Sequence, residues 1–461
     1  MKNLSLLLLF MFLLGNKLHP QSFYTGGDLS YVKELEGCGV EWKENNNVKD
    51  ILSVFSDNGA NIVRFRIWHT PATGKNGYSD TESMIVRAKA KGLKVMLDFH
   101  YSDTWADPAK QKCPAAWVSV INNYSLLADS LYNYTRKTLR TLKDKGLMPE
   151  FVQVGNETNG GMCFPGDGTV PYPTTDWAKQ TLLFNAGIRA VRDVDAGIKI
   201  ILHVADPKNA EWWAGELKKY NVTEYDILGI SFYPTWHTTT TINGFGTIIT
   251  NITNTYQKKV MVVETGLPWT NLWDDNTTNI MNGVPAGYRS TSSPEIQAQW
   301  LIDLTNKMLA TGGIGIVYWE PGLVASHLTD CPAEQGGSVW ENVALFDFNN
   351  NLMPNGGIRF CQFFAGLNNK TASPEDISLM TFPNPAKDKL NVQFNVKSGL
   401  KASFAIYDMQ GRIIKLFTKK TEIGLNEFTL DLKDMGLVNG SYVVRLIINK
   451  LPYYQSFTIN R

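Results

Sequence analysis

Glu150-Phe-Val-Gln-Val-Gly-Asn-Glu157 is a short apolar run that ends in an amide and a carboxyl, and Lys259-Val-Met-Val-Val-Glu-Thr265 repeats the plan with Glu264. A carboxyl at the tip of an otherwise buried run is costly unless the run opens on a site. Six further β-rich runs of this kind flank the pair: Phe23–Ser30, Asn61–Trp68, Leu93–Ser102, Ile198–Val204, Ile227–Tyr233 and Gly313–Trp319. Helical patterns such as Ser79–Lys91 and Asp176–Val194 lie between them, an alternation that favours a parallel sheet. Eight repeats predict an α/β fold, a (β/α)8 TIM barrel, over residues 22–366. The rival is a doubly wound open sheet, which carries a Gly-rich phosphate loop after an early strand; no G-x-G-x-x-G occurs here.

In such a barrel the C-terminal ends of the strands open on one face, where the chemistry is placed. Those ends carry Asp28; Arg64, Arg66 and Trp68; His100 and Asp103; Asn156 and Glu157; His203 and Asp206; Tyr233 and Trp236; Glu264; Trp319 and Glu320. The fourth and seventh runs are three apart around a ring of eight, so Glu157 and Glu264 face each other across the mouth. Two carboxyls about 5–5.5 Å apart define a retaining glycosidase. The alternative is that each Glu merely pairs with an Arg. Asn156 favours catalysis, because an amide beside the acid can bond a sugar 2-hydroxyl. Trp68, Trp105, Trp236, Trp269 and Trp319 offer flat faces to sugar rings, while His100, Asp103, Asn156 and His203 are expected to take hydroxyls. For His100 and His203 the alternative is a buried structural role; Trp117 and Trp300 read as core.

The composition excludes other classes. With 44 Lys+Arg against 43 Asp+Glu there is no basic field for nucleic acid. All 13 Trp lie between Trp42 and Trp340, and none in the last 121 residues, which divides the chain into two regions with different work. The apolar run Leu4–Leu14 after Lys2 is too short for the roughly 20 residues that span a bilayer and reads as a cleaved export signal over 1–21. Five widely spaced cysteines (38, 113, 163, 331 and 361) include no C-x-x-C and no zinc-site spacing. They allow up to two disulfides of unassigned pairing, and no His shares a local motif with a nucleophilic Cys.

Val63-Arg-Phe-Arg-Ile-Trp68, Asp98-Phe-His-Tyr-Ser-Asp-Thr-Trp-Ala-Asp-Pro108 with Lys110-Gln111, Gln153-Val-Gly-Asn-Glu-Thr-Asn-Gly160, Ser231-Phe-Tyr-Pro-Thr-Trp-His237, Val263-Glu-Thr-Gly-Leu-Pro-Trp269 and Tyr318-Trp-Glu-Pro321 stand in this order along the chain. Together they resemble family 53 of the glycoside hydrolases, the arabinogalactan endo-β-1,4-galactanases. The resemblance covers about residues 24–350. It implies a (β/α)8 barrel that hydrolyses internal β-1,4-galactosyl bonds of pectic galactan type I with retention. It makes Glu157 the acid/base and Glu264 the nucleophile, with Arg64 or Arg66 and Tyr233 as candidates to hold Glu264 charged. No cofactor is implied, and a monomer is expected.

The chain departs from the family at His69, where Asn is usual, and at Cys163-Phe164, where a Trp is common. Many bacterial members hold calcium after the seventh strand through a D-x-D-x-H-x-N-like segment. Here the loop reads Leu272-Trp-Asp-Asp-Asn-Thr-Thr-Asn279. Asp274, Asp275, Asn276 and Asn279 are hard oxygen ligands suited to calcium, but the altered spacing and missing His favour a solvated turn.

Beyond a polar linker at 367–375, short alternating runs (Leu390–Val396, Ala402–Tyr407, Ile413–Phe417, Asn426–Leu432 and Ser441–Ile448) predict a β-sandwich over 376–461. Phe382-Pro-Asn-Pro385, Tyr407-Asp-Met-Gln-Gly-Arg412 and Asn439-Gly-Ser-Tyr442 resemble the C-terminal sorting domain of the type IX secretion system. That implies passage across the outer membrane of a Bacteroidota-type bacterium. A carbohydrate-binding module is the alternative, disfavoured by the absence of Trp. For the barrel, the alternatives are a same-clan glycanase acting on mannan or xylan, and a glycan-binding barrel without catalysis.

Overall fold

The computed structural model describes residues 23–171, 175–288, 291–325, 337–362, 379–396, 401–408, 413–448 and 451–461. The export signal, the linker and Cys331 lie outside the described residues.

Eight strands close a parallel barrel: β1 (Tyr24–Asp28), β2 (Ile62–Ile67), β3 (Lys94–Phe99), β4 (Phe151–Val154), β5 (Lys199–Ala205), β6 (Ile227–Ser231), β7 (Lys259–Glu264) and β8 (Gly315–Tyr318). Each pairs with its neighbours in sequence, and β1 closes on β8 through Tyr24↔Gly315. All eight expected runs contain strands; seven are shorter than expected, mostly because their polar ends belong to the mouth, and the fifth keeps its length one residue further on. The outer layer contains α1 (Ile51–Asp57), α2 (Tyr78–Ala90), α3 (Tyr124–Asp144), α4 (Trp177–Val194), α5 (Ala210–Lys219), α6 (Ile242–Tyr256) and α7 (Pro294–Thr311). Asp50, Asn123, Asp176, Thr241 and Ser293 each accept a first-turn backbone N–H, which sets where α1, α3, α4, α6 and α7 start.

The period of two decides what fills the barrel. Along β2, Ile62 belongs to an apolar cluster inside the barrel, and Arg64 and Arg66 follow it toward the mouth. Met96 is followed by Asp98, Phe151 by Gln153, and Ile201 by His203 in the same way. The lower interior is thus a dry plug of Ile, Met, Phe and Val, and the upper interior is polar. Between strands and helices runs a second, larger apolar cluster that includes Phe55, Phe99, Phe184, Trp213 and Trp300.

The C-terminal region forms two antiparallel sheets from β9 (Met380–Phe382), β10 (Lys389–Val396), β11 (Lys401–Asp408), β12 (Ile413–Lys420), β13 (Gly424–Asp431), β14 (Gly440–Ile448) and β15 (Leu451–Ile459). Their orders are β9-β10-β13 and β12-β11-β14-β15, around a core with Phe394, Phe404 and Phe457. Two strands go unread in the sequence. β9 has three residues, and β15 opens Leu451-Pro452, a pattern tolerated only because β15 is an edge. Among the described residues no helix is long and apolar enough to cross a membrane.

Candidate active site

Arg64 organises the upper interior. It is 1% exposed, and its guanidinium reaches Asp28 at 2.6 Å, Asp98 at 2.8 Å and Glu264 at 2.9 Å, with Asn156 Oδ1 at 2.8 Å. One cation thus serves three carboxyls, and the surplus negative charge must be relieved by protonation somewhere nearby. Asp98 does not take the proton: against the cost of burial, Arg64 and then His100 hold it below the usual carboxyl range.

Glu157 does. It follows Gly155 (φ 86°) and itself sits at φ 45°, a left-handed conformation that turns the carboxyl across the mouth. Its carboxyl accepts the Ser231 hydroxyl on Oε1 at 2.5 Å. Burial, and next the charge of Glu264, push it up to about 8. Behind it the hydrogens run in one direction. Glu157 N–H donates to His203 Nδ1 at 3.2 Å, so His203 is protonated on Nε2, which bonds Ser231 Oγ at 2.9 Å. Burial and then Arg64 keep His203 neutral, well below its ordinary value, which suits this relay.

Glu264, at the end of β7, is held differently. Arg64 bonds Oε1, and the Tyr233 hydroxyl donates to Oε2 at 3.0 Å. Burial raises it to about 7, with Arg64 and Tyr233 opposing. In the singly ionised pair the charge rests on Glu264, the carboxyl with a cation, and the proton on Glu157. Such a difference is what a pair made of one attacking and one proton-donating carboxyl requires.

The remaining sequence candidates divide by depth. Arg66 does not reach Glu264. It lies one inward-facing step nearer the mouth on β2, pairs with Glu320 at 2.6 Å, and is sandwiched between the rings of Tyr31 (4.3 Å) and Trp105 (4.2 Å). Asp28, His100 and His203 are at most 1% exposed, and the contacts they make are within the polar interior. His100 Nε2 bonds Asp98 at 3.0 Å, while Nδ1 accepts from Trp68 Nε1 at 3.2 Å and Ala106 N at 3.3 Å. Asp103 staples loops, accepting from Thr70 N and Ala115 N at 2.8 Å each. Asn156, 4% exposed, donates to Ala106 O at 2.8 Å while its oxygen faces Arg64. Trp269 packs on Phe348 and donates to Glu341 O at 3.1 Å.

Across the mouth runs a row of rings. Trp68 meets Trp105 at 5.6 Å, Trp105 meets Trp319 at 6.1 Å, Trp319 meets Trp340 at 4.8 Å, and Trp340 meets both Tyr233 and Trp236 at 5.9 Å. Trp236 closes the row, 46% exposed. Trp340 and Ser231 are absent from the sequence candidates. Trp340 sits in the long segment after β8 with no local signal, and Ser231 ends β6 where a register shift sets it opposite Glu264. That serine could have been found from its place at a strand end.

A family model described as glycosyl hydrolase family 53 matches residues 24–356. The chain belongs to glycosyl hydrolase family 53. Similar proteins include the arabinogalactan endo-beta-1,4-galactanase of Cellvibrio japonicus (strain Ueda107), 39% identical over 340 residues that cover 72% of this chain and 89% of that protein. The endo-beta-1,4-galactanase of Bacillus subtilis (strain 168) is 35% identical, covering 72% of this chain and 84% of that one. Among solved structures, the Ignisphaera aggregans GH53 catalytic domain superposes with a TM-score of 0.65 at 31% identity, covering 74% of this chain and 96% of that one. A second model, described as a secretion system C-terminal sorting domain, matches residues 380–460. This family 53 member is therefore a glycoside hydrolase that carries an export tail.

The loop after β7 uses its acids on backbone. Asp275 accepts from Thr277 N and Ser338 N, both at 2.6 Å, and Glu341 accepts from Asp274 N at 2.7 Å. Asn279 donates to Leu272 O at 3.3 Å; its own oxygen and Glu341 Oε2 are buried without a partner. Among the described residues no group of three or more acidic, His or Cys side chains is arranged to hold a metal ion.

Proposed function

We propose that this chain is an exported endo-acting hydrolase that cleaves internal β-1,4-galactosidic bonds of pectic arabinogalactan type I with retention of configuration. The observation that carries the mechanism is the unequal support of the two carboxyls: Arg64 and Tyr233 on Glu264, Ser231 alone on Glu157. The names borne by the relatives carry the substrate. Glu264 attacks the anomeric carbon as Glu157 protonates the leaving glycosidic oxygen, which gives a galactosyl-enzyme ester. Glu157, now ionised, takes a proton from water as that water attacks the ester, which releases the sugar and restores both groups. Trp68, Trp105, Trp319 and Trp236 supply apolar ring faces along which a polymer can lie, with Trp340 buried behind them as their support, in keeping with attack inside the chain.

The two carboxyls and water suffice for this reaction. Calcium takes six to eight oxygens, and two buried oxygens stand free here, one on Asn279 of the loop after β7 and one on Glu341 of the segment after β8. The residues present do not fit a calcium cage; Asp275 staples the loop through backbone N–H groups instead. We further assign residues 1–21 to a removed export signal, 22–366 to a monomeric catalytic barrel, 367–375 to a linker and 376–461 to a domain that directs passage across a Bacteroidota-type outer membrane.

The test is reducing-end release on a panel of linear β-1,4-galactan, mannan and xylan, with Glu157→Ala and Glu264→Ala. Galactan is the polymer expected to be cut, with both variants down by orders of magnitude. An aryl galactoside whose leaving group needs no proton separates the roles, since Glu157→Ala should still form the ester from it and Glu264→Ala should not. Activity confined to mannan or xylan removes the substrate; no activity on any of the three leaves a glycan-binding barrel.

A further inference from the structure

Two thiols lie outside this chemistry. Cys113, in the loop after β3, and Cys163, in the loop after β4, are 2% and 1% exposed. The two loops are joined where they pass: Phe164 N donates to Gln111 O at 2.7 Å and Cys113 N to Phe164 O at 2.9 Å, a parallel bridge between Lys112 and Phe164. Chains paired this way run about 4.8 Å apart. Cys113 follows Lys112 and Cys163 precedes Phe164, so the bridge brings the two cysteines onto passing segments, where a disulfide needs Cα atoms roughly 4.4–6.8 Å apart. Their thiols hydrogen-bond to each other. That bond lowers Cys113, against its burial and with help from Lys179, whose ammonium also donates to the Cys163 carbonyl. The pair thus has an attacking thiol and a resolving one. Cys38 is already disulfide-bonded, and a secretion sorting domain follows the barrel, so this chain is bound for surroundings where such bonds persist.

We propose that Cys113 and Cys163 are oxidised to a disulfide in the exported protein, which ties the loop bearing Trp105 to the loop that follows Glu157. The oxidant is a donor disulfide of the thiol-exchange class. The Cys113 thiolate attacks one donor sulfur, forming a mixed disulfide and releasing one donor thiolate. The Cys163 thiolate then attacks the Cys113 sulfur, the new S–S bond forms, and the second donor thiolate leaves. The cysteines lose two electrons and two protons, which the donor takes up as two thiols. Cys361, fully buried, stays a thiol.

The test uses the protein exported into culture medium and purified without reductant. It is denatured, alkylated, digested without reduction and mapped by mass. The expected result is one linked pair of peptides containing Cys113 and Cys163, lighter by two hydrogens than the two thiol forms, with Cys361 alkylated. Alkylation of Cys113 and Cys163, or a link from either to another cysteine, overturns the proposal. The ring closed by positions 113 and 163 holds β4 and α3, so reduction should lower the melting temperature by several degrees more in the unmutated protein than in Cys113→Ser/Cys163→Ser. An equal fall in both also overturns it.

Discussion

Replacing Tyr233 by Phe deletes one oxygen and asks which carboxyl carries the negative charge. Glu264 has two partners for its ionised form, Arg64 at 2.9 Å and the Tyr233 hydroxyl at 3.0 Å. A hydrogen bond to a charged group contributes roughly 1.5–3 kcal/mol, and about 1.36 kcal/mol corresponds to one pKa unit, so losing the phenol moves Glu264 by about 1–2 units. The direction is upward, because the hydroxyl donates to the carboxylate and its loss favours the protonated form. Starting from about 7, the acid limb of kcat/KM climbs by that amount, since Glu264 attacks only when ionised. Well below the limb the rate falls roughly 10–100-fold. Glu157 bonds Ser231 and not Tyr233, so the alkaline limb shifts far less, by the coupling of the pair alone. The assay is initial-rate release of reducing ends from linear β-1,4-galactan at low substrate, from about pH 4 to 10. Movement of the alkaline limb with the acid limb fixed reverses the two roles. If neither limb moves, Tyr233 does not support the attacking group.

Ser231→Ala makes the complementary prediction. It removes the one bond that stabilises ionised Glu157, so the alkaline limb should rise by about 1–2 units with the acid limb unchanged; the same pH series reads it, and a fixed alkaline limb would falsify the acid assignment. Gly155→Ala forces a side chain onto φ 86° with its Cβ 2.6 Å from Thr158 Cγ2. Strain and overpacking together should cost about 2–6 kcal/mol, seen as a lower midpoint in denaturant; an unchanged midpoint would show that the turn bearing Glu157 is not fixed as described. Chelation should leave the melting temperature within about 1 °C, and a calcium-dependent rise beyond that would place a cation in the loop after β7.

The barrel was legible because its signal is local. Each apolar run with a polar tip declares a strand and its open end, and the eight of them recover both β4 with Glu157 and β7 with Glu264. What the chain order hides is depth. Arg64 and Arg66 point the same way from β2, and nothing in their spacing says that one reaches Glu264 and the other Glu320; register across the barrel decides it. The same applies to His100 and His203, which end in the polar interior because neighbouring strands cover them. Trp340 lies about a hundred residues along the chain from Trp236, so only the folded barrel shows that it joins Trp319 to Trp236. In the C-terminal region the alternating runs were plain, while three-residue β9 was too short to stand out.

The rings at the mouth have an environmental consequence. Arg64 and Arg66, the cations of the upper barrel, direct their charge onto buried carboxyls, and a galactan presents no charge of its own to them. Dissolved ions screen fields between exposed charges and do little to stacking on tryptophan. An enzyme exported into its surroundings and equipped in this way should keep nearly the same KM from fresh water to brine, with salinity felt at its charged outer surface and hardly at all where the polymer lies.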